Sequence, residues 1–456
     1  MTCFTRLAPL LACPACRSPL VPEEAEAACR GCGAVFPCLD GLPWLFPEPA
    51  AALADWQGRL HLLLGHLSRE AALHRKALEP AGVHASTRRR LAAQAEALEA
   101  HAALLRGLLQ PLGLTGREER HEVHLALGTR LPLSQGLTNY YPNLHRDWCW
   151  GGEENAASLQ EVLSVLTPGG APRRLLVLGA GGGRLAYDLH ASLPVELTVA
   201  LDFNPLLATV GRRVAAGEPV KLYEFPIAPR RLEDHAVRRE LAAPSPAREG
   251  LEFVLGDALA APFADAAFDA VLTPWFVDIV PDDLPVLMAR INRLLAPGGR
   301  WLNFGSLAWA DRPPERCYSL EELLELAPEA GFSVGPRRET PLPYMRSPAS
   351  RHARIETVIA FAATKQAEVA APPPPARPDW LERTDLPVPA LPAFREQSLS
   401  TRVYAFIMAM IDGRRTIRDM ARLMEEQRLM TAADAEPSIQ SFLARMHEDA
   451  QRRANF

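Results

Sequence analysis

The stretch LLVLGAGGGRLAYDLH, residues Leu175–His190, limits the fold more than any other part of the sequence. An apolar run leads into four glycines, and a helix-like pattern follows. A strand, a glycine turn and a helix in this order let the backbone approach a bound nucleotide closely. The dinucleotide fingerprint G-x-G-x-x-G is incomplete, because Arg184 stands at its sixth position. The turn therefore predicts a nucleotide-type cofactor without identifying it.

Short β-rich runs alternate with helical stretches around this turn. The runs are LLVLG, ELTVALD, LEFVLGD, FDAVLTP, RWLNFGS and VIAFAAT. Such alternation is typical of βαβ units, in which helices join parallel strands. We therefore expect an α/β domain with a mostly parallel, Rossmann-like sheet over residues 131–366.

Two cysteine pairs near the N-terminus carry the most specific metal signal. Cys13-Pro-Ala-Cys16 and Cys29-Arg-Gly-Cys32 are C-x-x-C pairs separated by twelve residues. Each pair places two thiolates on one tight turn, and two such turns complete a tetrahedral zinc site. Because the protein supplies all four ligands, we expect a structural zinc ion. Free thiols or a redox pair are the alternative.

The residues after the second pair, GAVFPCLDGLPWLF, resemble the zinc ribbon of small activator proteins that support tRNA and protein methyltransferases. Similar ribbons begin some rRNA guanine methyltransferases. The resemblance implies a zinc ribbon over residues 1–49. Four further cysteines show no partner spacing, and we expect ordinary buried thiols at Cys3, Cys38, Cys149 and Cys317.

The 456 residues suffice for two or three domains. After the ribbon we expect a helical segment over residues 50–130, with an amphipathic helix that opens at Ser86 or Thr87. A proline-dense linker over residues 367–393 follows the α/β domain. Residues 394–456 are expected to form a small helical domain. Its stretch IDGRRTIRDMARLMEEQ resembles winged-helix modules that hold leader peptides.

Charge and hydropathy exclude several classes of partner. The net charge of −5 gives the chain no general attraction for nucleic acid or anionic membranes. No apolar run approaches the roughly 18 residues of a membrane span. We therefore expect a cytoplasmic protein without a membrane partner, and we expect its substrate not to be nucleic acid.

Later motifs identify the cofactor. Asp202 ends the second β-rich run, where a carboxylate accepts hydrogen bonds from both ribose hydroxyls of a nucleoside. Asp257, followed by Ala258, ends the third run, where it would receive the adenine amino group. Asp202 alone suits NAD as well as S-adenosylmethionine. The segment INRLLAPGGRWLNF then reads as a helix, a turn and a strand. Taken in this order, the glycine turn, Asp202, Asp257 and this segment resemble class I S-adenosylmethionine-dependent methyltransferases. The glycines of the G-x-G-x-G spacing are Gly179, Gly181 and Gly183.

A narrower resemblance covers about Leu137–Lys365. The segments NLHRDWCWGGEEN, LVLGAGGGRLAYDL, YEFPIAP, TPWFVDIVPD, RWLNFGSLAWA and YSLEELLELAPEAGF are similar, in this order, to the carnosine N-methyltransferase family. This resemblance implies methyl transfer from S-adenosylmethionine to a nitrogen of a small molecule or peptide. The nitrogen of an imidazole is the acceptor that the family suggests.

The same resemblance assigns roles to individual residues. Asn143, in place of the family's glutamine, and Arg146 reach over the cofactor, where Arg146 would pair with the methionine carboxylate. Asp278 and Tyr344 are the expected catalytic residues on the acceptor side, and Asp278 would receive the imidazole. Ala310 stands where the family has histidine, so carnosine itself is not implied as the substrate.

The expected chemistry is simple. A neutral imidazole already offers a lone pair at pH 7, so the site need only hold it aligned and dry beside the sulfonium methyl group.

RNA base methylation, suggested by the ribbon, is one alternative, although the compact basic run is confined to residues 87–90. A non-catalytic peptide-binding or interaction role, suggested by the C-terminal domain, is the other. The glycine turn with Asp202 and Asp257 favours an enzyme.

Overall fold

An eleven-stranded mixed sheet organises the first of two units into which the chain divides, Met1–Pro372 and Pro373–Phe456. The computed structural model describes the chain except residues 1–2, 81, 116–135, 167–169, 310–311, 371–378, 384, 392–402 and 453–456. The strands are β1 Leu20–Pro22, β2 Glu26–Cys29, β3 Val35–Leu39, β4 Leu42–Leu45, β5 Arg174–Leu178, β6 Leu197–Asp202, β7 Val220–Glu224, β8 Val237–Leu241, β9 Leu251–Gly256, β10 Phe268–Pro274, β11 Leu295–Gly305, β12 Phe332–Tyr344 and β13 Arg354–Lys365.

The large sheet has the order β1-β2-β3-β4-β9-β6-β5-β10-β11-β13-β12, and β7 and β8 form a separate hairpin. From β9 to β11 all neighbouring strands are parallel, whereas β13 is antiparallel to both β11 and β12. Strand order reverses at the pair β5 and β10, and parallel α/β sheets bind ligands at such a switch point, beyond the carboxyl ends of the strands. The predicted α/β fold class is confirmed.

Helices cover both faces of this sheet. In the first unit they are α1 Pro49–Lys76, α2 Ala85–Leu109, α3 Tyr141–His145, α4 Gly152–Leu166, α5 Arg184–Ser192, α6 Pro205–Ala215, α7 Leu284–Leu294 and α8 Leu320–Glu329. Their ends follow local chemistry. The Asn204 side chain accepts the first N–H groups of α6, and Ser319 and Glu322 form a capping box on α8.

The amphipathic helix expected near Ser86 is confirmed as α2, which begins one residue earlier, at Ala85. Its apolar positions at steps of three and four are buried, and they are Leu91, Ala95, Leu98, Ala102, Leu105 and Leu109. All of them except Leu91 pack with α1 into the hydrophobic core on one face of the sheet. This helical segment therefore belongs to the same core as the α/β strands.

The N-terminal strands extend the sheet. Strand β4 is buried along its whole length, and it pairs in parallel with β9, with Trp44 opposite Leu255. Arg17, between the two cysteine pairs, donates hydrogen bonds to the carbonyl oxygens of Ala261 (3.0 Å) and Phe263 (2.6 Å). The segment predicted as a ribbon is thus continuous with the edge of the sheet that carries Asp257.

The expectation for the four unpaired cysteines is wrong. Cys3 and Cys38 form a disulfide, because the fold of the N-terminal segment brings their Cα atoms to 6.5 Å across a sequence separation of 35 residues. Cys149 and Cys317 are free but exposed. Spacing along the sequence gave no sign of the disulfide, since its two cysteines lie on opposite sides of the four-cysteine cluster.

The second unit is helical where the structure describes it. It contains α9 Asp379–Glu382, a helix over residues 403–409, α10 Ile417–Glu426 and α11 Ala432–Arg452. A small core of its own includes Ile407, Met420, Met424 and Ile439. The described residues of this unit include no strand, so they give no support to the wing of a winged helix.

Two buried histidines lie between α2 and α3. The ring of Tyr141 lies 5.3 Å from that of His101 and 5.1 Å from that of His145. Burial lowers the pKa of His101 to about 4 and that of His145 to about 3. Both rings are therefore neutral in the folded protein over the range in which free histidine takes up a proton.

We expect this pair to make the fold acid-sensitive. Below about pH 6.5 the unfolded chain protonates both histidines while the folded chain does not, so stability falls as the pH falls toward 4. Each ring should contribute roughly 2 kcal/mol of this loss between pH 7 and pH 5. The thermal midpoint of H101F/H145F should therefore fall less over this interval than that of the natural chain. The exposed His352→Gln serves as control; an unchanged pH dependence in the double variant would contradict this account.

Candidate functional site

The glycine turn opens a cleft at the switch point of the sheet. Gly179, Gly181 and Gly183 all have left-handed backbone conformations, with φ of +67°, +57° and +77°. A Cβ atom at Gly179 would lie 2.5 Å from the ring of Phe276, and one at Gly183 would lie 2.4 Å from that of Phe253. Both backbone strain and close packing thus require glycine at these two positions. The turn ends directly at the first residue of α5.

Asp202 lies in this cleft at the end of β6. Its two carboxylate oxygens accept hydrogen bonds from the N–H groups of Gly181 (2.7 Å) and Asn204 (2.8 Å). Burial raises the pKa of Asp202, although these N–H donors act against the rise. Each oxygen keeps a second lone pair, so the carboxylate can still accept bonds from two ribose hydroxyls.

Asp257 and Ala258 line the cleft beyond the end of β9. The Asp257 side chain accepts the N–H of Leu259 at 2.8 Å and so caps a single 3₁₀ turn. The position agrees with the expected adenine site, and the adenine contact itself stays a prediction. Four and six residues after Asp257, the carbonyl groups of Ala261 and Phe263 accept hydrogen bonds from Arg17 of the N-terminal segment.

Asn143 and Arg146 also line the cleft, from α3 and from the π-helical turn Arg146–Trp150 that follows it. The Nε and Nη2 atoms of Arg146 donate to the Asp147 carboxylate at 2.8 and 2.7 Å. Asp147 was not anticipated from the sequence. Nη1 is the guanidinium nitrogen left for the expected cofactor carboxylate, and that pairing stays a prediction.

An aromatic wall closes the other end of the cleft. The ring of Trp275 lies 5.9 Å from that of Phe304 and 4.8 Å from that of Tyr344. Trp275 has a φ of +50°, and its N–H donates to the Phe304 carbonyl at 2.7 Å. The unusual backbone thus fixes the indole at the end of β10. Tyr344 lies where the sequence predicted it, whereas Phe304 gave no signal beyond its place in a β-rich run.

Asp278 is not among the described residues that line the cleft, and its expected role toward the acceptor stays a prediction. Its Oδ2 accepts the N–H of Ala308 at 2.8 Å and the hydroxyl of Ser306 at 3.3 Å. A buried carboxylate needs such donors, and this one fastens the loop after β11. The structure therefore supports a structural role for Asp278. Ala310 lies outside the described residues.

The described lining residues include no histidine, lysine or cysteine. The carboxylates are all held by donors: Asp147 by Arg146, Asp188 by Arg184, and Glu154 by the N–H groups of Met345 and Arg346. Glu154 was not anticipated either. The described lining residues thus offer no obvious general base near the aromatic wall, which favours an acceptor that arrives with its own available lone pair.

The four expected zinc ligands lie together. The Sγ atoms of Cys13, Cys16, Cys29 and Cys32 are all within 4.8 Å of one another. Cys13 and Cys32 have their sulfurs 3.7 Å apart, and those of Cys16 and Cys29 are 3.3 Å apart. Tetrahedral zinc with Zn–S bonds of about 2.3 Å sets sulfurs about 3.8 Å apart. The donor set therefore fits zinc.

Comparison with known proteins agrees with the cleft. Residues 176–302 match the model of a methyltransferase domain. These residues are an S-adenosylmethionine-dependent methyltransferase domain. A demethylmenaquinone methyltransferase of Thermus thermophilus is 33% identical over 131 residues, which make up 28% of this chain and 46% of that relative. The chain thus spans about half the length of that relative.

A second relative is shorter. A UPF0434 protein of Alcanivorax borkumensis is 38% identical over 48 residues, 10% of this chain and 77% of that protein. Over those 48 residues the chain belongs to the UPF0434 family. The solved complex between the Haloferax volcanii Trm112 methyltransferase activator and a methyltransferase matches with 15% identity and a TM-score of 0.36, covering 51% of this chain and 97% of that one.

Among the described residues, no helix combines the length and the apolar character that crossing a membrane requires.

The cysteine cluster predicts one zinc ion per chain. C16S and C32S should lose it and make the first 50 or so residues susceptible to protease, because metal binding and folding of such a site are coupled. C149S and C317S, which replace free exposed thiols elsewhere, should keep it. Metal analysis and limited proteolysis of reduced protein test this. A zinc-free natural protein with a protected N-terminus would contradict it.

The cleft predicts binding of S-adenosylmethionine and not of NAD. D202A should weaken the binding of S-adenosylmethionine by about 1–3 kcal/mol, or about 5- to 150-fold in Kd, because two ribose hydroxyls lose their acceptor. The exposed Asp265→Ala is the matched control. Calorimetry measures the affinities, and a thermal midpoint checks that D202A is folded. Tight NAD binding without S-adenosylmethionine binding would overturn the assignment.

Proposed function

We propose that this protein transfers the methyl group of S-adenosylmethionine to a nitrogen of a planar ring, such as an imidazole, in a small molecule or peptide. The observation that carries the proposal is the position of the aromatic wall. Trp275, Phe304 and Tyr344 line the same cleft as the glycine turn and Asp202. A flat ring can stack or pack edge-on against such a wall, at ring separations of about 4.5–7 Å.

The lack of a general base near the wall favours nitrogen as the nucleophile. A hydroxyl group needs its proton removed before or during methyl transfer, and the described cleft carboxylates that are not assigned to the cofactor, Asp147, Asp188 and Glu154, already accept hydrogen bonds from protein donors. A neutral imidazole needs no such help, since its unprotonated nitrogen carries a lone pair at neutral pH. The protein's part is then to align that nitrogen with the methyl group and to exclude water.

Each residue of the cleft has a distinct part in this proposal. Asp202 and Asp257 would hold the ribose and the adenine, and Arg146 the carboxylate of the methionine portion. S-adenosylmethionine supplies the electrophilic methyl group when bound. Tyr344 and Trp275 would orient the acceptor ring, and the electron-rich face of Trp275 would stabilise the positive charge that the ring gains on methylation. The four-cysteine cluster would hold structural zinc away from this chemistry.

The acceptor of the Thermus thermophilus relative, demethylmenaquinone by its name, is the second candidate. The apolar residues of the cleft, among them Leu342, Pro343 and Val280, favour a ring of low polarity. A panel of histidine-containing dipeptides, free histidine derivatives, a demethylated quinone and total RNA, each with methyl-labelled S-adenosylmethionine, separates the candidates. The proposal requires label on an imidazole compound.

We expect Tyr344 to act on the acceptor and not on the cofactor. Y344A should lower kcat/KM for the acceptor about 2- to 12-fold, equivalent to about 0.5–1.5 kcal/mol of ring packing, whereas Y344F should stay near the natural value. The cofactor Kd of both variants should be unchanged. If Y344F lost as much activity as Y344A, the hydroxyl would carry the role instead of the ring.

The pH dependence of kcat/KM should follow the protonation of the acceptor and not of an enzyme group. Without a general base in the cleft, kcat/KM should rise with pH through the pKa of the acceptor imidazole, near 6.5, and stay level above it. Two acceptors with different imidazole pKa values should therefore shift the profile by the difference between them. A profile that stays fixed for both acceptors would show that an enzyme group controls proton transfer.

A further inference from the structure

A cluster of exposed arginines lies beside the aromatic end of the cleft. It is formed by two loops, residues 225–232 between β7 and β8 and residues 345–353 between β12 and β13, with the first residues of β13. We call it the arginine patch, and its members are Arg230, Arg231, Arg346, Arg351 and Arg354. The two loops and residues 354–355 contain no aspartate or glutamate. In a chain with a net charge of −5, this is a strong local concentration of positive charge.

Backbone hydrogen bonds hold the two loops together. The N–H of Arg230 donates to the Ala349 carbonyl at 3.0 Å, and the N–H of Arg351 donates to the Ala228 carbonyl at 2.9 Å. The guanidinium of Arg351 also donates to the carbonyls of Pro229 and Arg230. These bonds fix Arg230 and Arg351, which come from distant parts of the chain, side by side at the centre of the two loops.

The patch is continuous with the acceptor end of the cleft. Tyr344 lines the cleft, and the guanidinium of Arg354 lies 4.5 Å from the centre of its ring. Arg346 is two residues further along the chain, and its N–H donates to the cleft carboxylate Glu154 at 2.8 Å. A molecule whose ring contacts Tyr344 would thus place its remaining atoms next to the patch.

The nearest carboxylates leave most of this charge unbalanced. Glu356 pairs with Arg354 at 2.5 Å, and Glu224 pairs with Arg239, which is outside the patch. Glu233 and Asp234 follow Arg231 along the chain, in the 3₁₀ turn Leu232–His235. Exposed apolar side chains, Ile227 and Ile355, flank the arginines. Such a surface suits a ligand with several negative charges and some apolar character.

We propose that the arginine patch binds an anionic part of the methyl acceptor, so that the substrate is a peptide or small molecule with carboxylates or phosphates beside its acceptor ring. This inference rests on the proposed function, and it adds the charge of the substrate. Guanidinium groups bind carboxylate and phosphate strongly through paired N–H donors. The patch then sets the substrate's orientation, and the aromatic wall receives the ring.

The test measures binding directly, with two fluorescein-labelled peptides. One is Asp-Asp-Gly-His-Gly-Asp-Asp, and the other has asparagine in place of every aspartate. R231Q/R346Q removes two charges from the patch without removing any side-chain hydrogen bond described above. The matched control, R89Q/R106Q, removes two exposed arginines from α2. Fluorescence anisotropy gives the Kd of each protein for each peptide at 50 and 200 mM salt. A phosphoserine peptide of the same length compares phosphate with carboxylate.

The natural protein should bind the aspartate or the phosphoserine peptide at least 10-fold more tightly than the asparagine peptide, and higher salt should weaken that binding. The affinity of R231Q/R346Q for the charged peptides should be about 10-fold lower than that of the natural protein. The affinity of the control R89Q/R106Q should stay within twofold of the natural value. Equal binding of charged and neutral peptides would overturn the proposal, as would an equal loss in the control variant. Because binding is read without methyl transfer, charge-selective binding with no methylated nitrogen would contradict the proposed function and leave the patch assignment standing.

Discussion

The reversal of strand order between β5 and β10 is the constraint on which the rest of the molecule depends. The segments that leave these neighbouring parallel strands diverge, and the space between them is the cleft. The glycine turn leaves β5 on one side, and the strained Trp275 ends β10 on the other. The glycine turn and the aromatic wall therefore line one cleft, although Gly179 and Trp275 are 96 positions apart in sequence.

A second consequence of the sheet concerns its edge beside β9. Strand β4 covers this edge with parallel pairing, so the N-terminal segment protects backbone groups that would otherwise be open to another strand. The same segment reaches the carbonyls of Ala261 and Phe263 through Arg17, close to Asp257. The two cysteine pairs of the cluster flank Arg17 in sequence, so the cluster is connected through Arg17 to the part of the cleft expected to hold adenine.

Much of this was accessible from the sequence, for identifiable reasons. The glycines, Asp202 and Asp257 follow apolar runs directly, so local pattern was enough to place them at strand ends. The four cysteines were accessible because short C-x-x-C turns form without help from distant residues. The contacts of Asp278 were not accessible, because its partners Ser306 and Ala308 come from another strand's loop and nothing local shows whether a carboxylate faces a cleft or a loop. The Cys3–Cys38 disulfide and the contact of Asp147 with Arg146 also needed three-dimensional information.

The central claim is that the methyl group of S-adenosylmethionine reaches a ring nitrogen held against Trp275 and Tyr344. The most direct test incubates the natural protein with S-adenosylmethionine carrying ¹³C in its methyl group and with a histidine-containing peptide. Carbon–nitrogen correlated NMR of the purified product then identifies the atom that bears the label. The account predicts a labelled methyl group on an imidazole nitrogen, and a much smaller yield with Y344A than with Y344F. Label on carbon or oxygen, or no transfer by protein that binds the cofactor tightly, would contradict it.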